Sequence, residues 1–263
     1  MTIPPLLFAL MMWFIGTGAV VWLDSRPRET FAASFRIAGL AAVIATVMVW
    51  AQAGDNSWSG AYIGFAAAIL IWGWHEMGFL MGFVAGPLKT PCPPDLAGWP
   101  RFKAATATVI HHEIAIAANL LLLVAITWGQ PNQAAPLTFA LLFALRLSAK
   151  FNLFLGVPNL SDEIFPAHLA YLKSYFGKKS MNALFPISTL ASAATATWAW
   201  FAAEAAPAHS GPAVTATLLA GLAALGVVEH LFLVLPLRDA KMWGWASAAK
   251  PKQSTAVTAA IIE

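Results

Sequence analysis

Seven apolar stretches, each close to the ~20 residues that a helix needs to cross a bilayer core, dictate what this chain can become. They run roughly over 3–23, 36–52, 60–86, 105–128, 136–155, 183–203 and 213–237. A backbone in hydrocarbon must satisfy its own hydrogen bonds, and long unbroken apolar runs do so as helices. The connections between them alternate in charge. Gly54-Asp55-Asn56-Ser57, Gly129-Gln130-Pro131-Asn132 and Pro207-Ala208-His209-Ser210-Gly211-Pro212 are short, polar and free of Lys and Arg. The other side carries all fifteen basic residues: Arg26, Arg28 and Arg36; Lys89, Arg101 and Lys103; Arg146, Lys150, Lys173, Lys178 and Lys179; Arg238, Lys241, Lys250 and Lys252. Basic connections face the cytoplasm, so the pattern predicts an all-α integral membrane protein, a seven-transmembrane-helix bundle with its N-terminus outside and its C-terminus inside.

Composition excludes the alternatives. With 59% hydrophobic and 10% charged residues, the chain lies far from a soluble domain, which carries roughly 25% charge, and equally far from a disordered one. A formal charge of +3 would invite a nucleic-acid partner if it were concentrated in a patch. Topology already accounts for every basic residue, so lipid is the expected partner and nucleic acid is not. The first span lacks a basic leader and a small-residue cleavage site, and reads as a membrane helix rather than a signal peptide. Residues 1–250 read as one transmembrane domain, and 251–263 as a flexible tail. Cys92, in a Pro-rich loop, has no second cysteine to pair with.

The fifth connection is long and patterned. After Gly156-Val157-Pro158-Asn159, the stretch from Ser161 to Phe176 puts Ile164, Phe165, His168, Leu172, Tyr175 and Phe176 on one stripe, and Gly177-Lys178-Lys179 supplies a stop. This predicts a short amphipathic helix on the cytoplasmic interface, with regular turns starting near Pro166.

Charged residues inside membrane helices cost about 2.5–3.5 kcal/mol at the helix centre and default to functional hypotheses. Three clusters stand out: His75-Glu76 in the third span, His111-His112-Glu113 in the fourth and Glu229-His230 in the seventh. None of those spans contains Lys or Arg, so their carboxylates are protonated, or are balanced by His and a bound cation. All three clusters fall in the cytoplasmic half and can converge. His75 shares a stripe with Gly78, Gly82 and Gly86, His112 one with Thr108, Ala115 and Asn119, and Glu229 and His230 both follow Gly226. These stripes predict protein-facing orientations.

His75, Glu76, His112, Glu113, His168, Glu229 and His230, with His111, Asp162 and Glu163 as weaker members, form a ligand set suited to iron, manganese or zinc. The spacing departs from the Glu-x-x-His of di-iron bundles, because the pairs are adjacent. Polar contacts between helices, a proton relay and axial ligation of a tetrapyrrole by one His stand beside the metal reading. His209 reads as a solvated loop residue, and Ser188, Ser192 and Thr195 as helix packing.

Trp74-His75-Glu76-Met77-Gly78-Phe79, His111-His112-Glu113 and the run from Lys150-Phe151-Asn152 through Gly156-Val157-Pro158-Asn159-Leu160, Asp162-Glu163 and Pro166-Ala167-His168-Leu169 to Tyr175-Phe176 together resemble the PuhE family, photosynthetic complex assembly protein 2. The resemblance runs from the second span to the seventh. It implies a phototrophic bacterium, a gene neighbourhood shared with the reaction-centre H subunit, the inner (intracytoplasmic) membrane, and a role in accumulating the reaction centre and its core antenna, linked to bacteriochlorophyll supply. The implied partners are reaction-centre or core-antenna subunits, or enzymes of pigment synthesis. The resemblance brings no catalytic residues. Two classes of function stay open: an assembly factor that holds pigment or nascent subunits, with bacteriochlorophyll or another tetrapyrrole as ligand, and a di-iron-type metallo-oxidoreductase of photopigment synthesis. A transporter is disfavoured, because no pair of broken spans is related by symmetry.

Overall fold

The computed structural model describes residues 3–159, 166–235 and 244–246. They form seven long helices: α1 (Pro5–Asp24), α2 (Phe31–Ala51), α3 (Trp58–Leu80), α4 (Gly98–Ile126), α5 (Ala134–Leu155), α6 (Leu184–Ala205) and α7 (Gly211–Phe232). No strand occurs among the described residues; an isolated bridge joins Ser57 and Ser210. Six of the helices, all but α6, are long and apolar enough to cross a membrane. α6 has the length, at 22 residues, but its Ser and Thr dilute its apolarity.

Local chemistry sets the ends. The Ser57 hydroxyl accepts the Gly60 N–H (3.2 Å) at the start of α3, and the Ser210 hydroxyl accepts the Ala213 N–H (3.2 Å) at the start of α7, each satisfying one orphan donor. α5 stops at Gly156, whose φ of 110° only glycine adopts freely.

α3 is the central helix. Buried residues are densest there, twelve of 23 on α3 and nine of 22 on α7, against two of 20 on α1. On one side of α3, Ala68 and Ile71 pack with Ile116 and Leu123 of α4 and Phe139 of α5. On another, Phe65 and Ile69 pack with Ala9 of α1 and Leu218 and Leu222 of α7. α6 leans on α7 through Ala199, Leu219 and Ala220.

The third span is shorter than its apolar run. α3 ends at Leu80, and Gly82 has φ 82°, so the stripe from His75 through Gly78 does not continue to Gly82 and Gly86. The chain instead runs through turns and bends alongside α4. His112 N–H donates to the Ala85 carbonyl (2.9 Å) and Leu88 N–H to the Ala107 carbonyl (3.2 Å). Gly86 makes this possible, because a Cβ there would overlap the Ala107 carbonyl.

The fifth connection differs in kind from the expected α-helix. Residues 160–165, including Asp162 and Glu163, lie outside the described residues. From Ala167 to Tyr175 the chain is a 3₁₀ helix burying Leu169, Leu172 and Tyr175, a spacing of three that matches three residues per turn. Arg101 of α4 clamps it, donating to the Tyr175 carbonyl (2.6 Å) and the Phe154 carbonyl (3.3 Å).

Candidate functional site

The acids and histidines of α3 and α4 do meet, but their counter-charges come from α5. Arg146 Nη2 donates to Glu76 Oε2 at 3.0 Å, and Lys150 Nζ donates to Glu113 Oε1. Both bases belong to α5, four residues apart and so on one helical face. Arg146 lies nine residues before the C-terminal end of α5, about 14 Å back along the helix at 1.5 Å per residue. Arg146 and Lys150, grouped by sequence with the basic connections, instead lie within α5 and pair with acids of α3 and α4. The carboxylates of Glu76 and Glu113 have permanent partners that no inspection of their own helices reveals.

His112 sits between these pairs. It is fully buried, and its Nε2 stands 3.9 Å from Glu76 Oε1, too far for a direct hydrogen bond. Both of its ring nitrogens, together with Glu76 Oε1, Glu113 Oε2, Arg146 Nε and His75 Nε2, are buried without a hydrogen-bond partner. Buried polar atoms of this kind normally hold water or a ligand. Phe79 lies beneath, its ring 4.8 Å from that of His112 and 5.5 Å from Lys150 Nζ. The site is thus layered: Ile71, Ile116 and Phe139 above, the polar cluster, then Phe79, Ala85, Leu169 and Leu172 below.

The other predicted residues occupy separate places. On α7, Glu229 Oε1 accepts the Trp13 indole N–H of α1 (2.9 Å). His230 has both nitrogens engaged, with the Ser148 hydroxyl of α5 (2.9 Å) and the Gly226 carbonyl (2.7 Å). His168 lies under the end of α3, where a Cβ on Gly82 would come within 3.1 Å of its ring. Burial holds its pKa below the usual value, opposed by a hydrogen bond to the Leu80 backbone. His111 is exposed on the outward stripe of α4 together with Ile114, Ala118 and Leu121. His209 is exposed in its loop, with φ 59°. Among the described residues, no group of three His, Cys, Asp or Glu side chains is arranged to hold a metal ion.

Several structural polar residues carry no sequence signal beyond their type. Asn152 donates to Ser148 O and Ser188 Oγ, both at 3.0 Å. Asn182 donates to the Asn152 and Gly156 carbonyls, and Asn159 to the Phe232 carbonyl. The long motif around Asn152 and Asn159 therefore ties the end of α5, the start of α6 and the end of α7 together. The four-residue spacing of Arg146 and Lys150 puts both on one face of α5, but nothing in that spacing says which way the face turns.

Comparison with known proteins gives two matches. Residues 1–254 match the model of a family described as protein of unknown function, DUF3623. A relative from Rhodobacter capsulatus, described as an uncharacterized 30.4 kDa protein in the puhA 5' region, is 39% identical over 244 residues, which is 91% of this chain and 88% of that one. No solved structure matches the chain.

Proposed function

This chain belongs to the DUF3623 family, and from that premise we propose that it is a factor for assembly or accumulation of the bacterial reaction centre and its core antenna, linked to bacteriochlorophyll supply. One observation carries the reading: the relative that is 39% identical is described by its position beside puhA, the neighbourhood that the PuhE resemblance implies. The same reading puts the protein in the inner (intracytoplasmic) membrane with seven spans, α6 being the seventh, its N-terminus outside and its C-terminus inside. Its partners are then reaction-centre or core-antenna subunits or pigment-synthesis enzymes. The working part is the α3–α4–α5 cluster, where buried charge is retained at a cost. Deletion of the gene in a phototrophic host, followed by near-infrared absorption of its membranes, tests this. The core-complex band is expected to fall while membrane protein yield holds; an unchanged band would refute the reading.

The metal reading is the second one, and His112 supports it: two unpartnered nitrogens beside an unpartnered Glu76 oxygen can ligate. The cations of Arg146 and Lys150 oppose it by repulsion. A tetrapyrrole, by contrast, would find an accessible imidazole at His111, whereas His75, His112 and His230 are enclosed. Elemental analysis and the absorption spectrum of the purified protein separate the two. Stoichiometric iron, manganese or zinc favours the metal site and the oxidoreductase alternative; bound pigment without metal favours the carrier.

A further inference from the structure

The three outer connections, read from sequence as simple polar turns, are stitched into one rigid surface. Gly211 N–H donates to the Asn56 carbonyl (3.1 Å), and Asn132 N–H to the Ala53 carbonyl (3.0 Å). The Asn132 amide donates to the Gln52 carbonyl (3.1 Å) and the Gly60 carbonyl (3.0 Å). Gly211 sits so close to Asn56 that a Cβ would overlap its carbonyl. The α2–α3, α4–α5 and α6–α7 connections are therefore fixed relative to one another before any ligand arrives, as binding sites generally are.

This surface frames a half-enclosed recess of about 190 Å³. At the connections its lining is polar, with Asp55, Asn56 and Gln133; toward the membrane it is apolar, with Leu137, Leu219 and Trp198. Trp198 lies seven residues before the outer end of α6, about 10 Å below the connections. Polarity thus changes along the membrane normal over the length of a lipid headgroup and the start of its chains.

The sign of the recess is equally defined. Asp55 accepts the Ser57 N–H (2.9 Å), and hydrogen bonds from Ser57 hold its carboxyl below the usual pKa. No Lys or Arg occurs in any outer connection. A cationic head above an apolar body complements both gradients at once.

We propose that the recess between α5, α6 and α7 binds the headgroup of an ammonium-bearing lipid, with the ammonium on Asp55 and the start of the acyl chains against Leu137, Leu219 and Trp198. This site lies at the opposite end of the helices from the α3–α4–α5 cluster, and its test does not depend on the assembly reading.

The test uses the full chain in nanodiscs containing equal dioleoyl-phosphatidylethanolamine and dioleoyl-phosphatidylglycerol, with retained lipid counted by native mass spectrometry after release. The wild type is expected to retain the ethanolamine lipid about tenfold over the glycerol lipid, the worth of one charge-assisted hydrogen bond. Asp55→Asn keeps the acceptor for Ser57 and should abolish the preference. Trp198→Leu, on an exposed residue, should lower total retention while keeping the preference. Equal retention of both lipids by the wild type would overturn the proposal, as would a preference that survives Asp55→Asn. Free ethanolamine as competitor separates the sources: displacement of the lipid by free amine at equal concentration would assign the recess to a soluble amine and overturn the lipid assignment.

Discussion

Glu113 and Lys150 make the clearest case at the scale of single residues. Their side chains are 14% and 20% exposed, so removing one partner leaves a largely desolvated charge, which costs about 3–5 kcal/mol. Lys150→Met is expected to lower stability by about that amount in detergent, measured by thermal unfolding. Adding Glu113→Leu should recover most of the loss, because an apolar pair replaces an ion pair at little net cost; a double variant no more stable than the single one would show that Lys150 acts otherwise. The sequence revealed the acids readily, since charge is conspicuous in an apolar span. It hid their partners, because a base ten or so residues from a predicted boundary looks like a topology signal. Only the packing of α5 against α3 and α4 distinguishes the two.

At the scale of elements, the informative piece is the irregular segment after α3. Composition alone extends the third span to residue 86, since Gly82 to Gly86 is apolar, yet the helix ends at Leu80. Gly82 and Gly86 serve a turn and a close backbone approach, which no hydropathy profile separates from helix continuation. Gly86→Ala is therefore expected to displace the segment from α4 and destabilise the protein by about 2 kcal/mol or more; faster hydrogen exchange at His112 and Leu88 would report it, and unchanged exchange there would count against the docking.

The 3₁₀ element gives a pH prediction. Burial lowers the pKa of His168 from its ordinary value near 6.5, so the unfolded state binds its proton first as pH falls. Docking of Ala167–Tyr175 should be fully stable above about pH 6.5 and weaken progressively below it. Hydrogen exchange across this element at pH 7.5 and 5.5 checks the sign, and His168→Gln should flatten the dependence. The stripe of apolar residues here was legible in sequence; its winding was not, because spacings of three and four overlap over nine residues.

Across the whole molecule, seven long helices form where the sequence has its apolar runs, with ends shifted by up to seven residues; six are long and apolar enough to cross a membrane, and α6 as a seventh span belongs with the orientation proposed above. Cysteine labelling from each side of the membrane should find Ser57→Cys and Gln130→Cys reactive outside, and Cys92 inside; the reverse pattern, or Ser57→Cys and Ser210→Cys reactive from opposite sides, would contradict seven spans. The candidate ligands separated into one cluster and several outliers because helix faces are fixed by packing. Glu229 and His230 turn to α1 and α5, and His111 turns outward, choices that adjacency in sequence leaves open.

In the function proposed above, the cluster of Glu76–Arg146, His112 and Glu113–Lys150 serves assembly of the photosynthetic complex. Its most direct measurement is near-infrared absorption of membranes from a deletion strain complemented with Glu76→Gln or His112→Leu, each checked for wild-type protein levels. The core-complex band is expected to fall toward that of the deletion strain despite normal protein abundance. A band fully restored by both variants would contradict it.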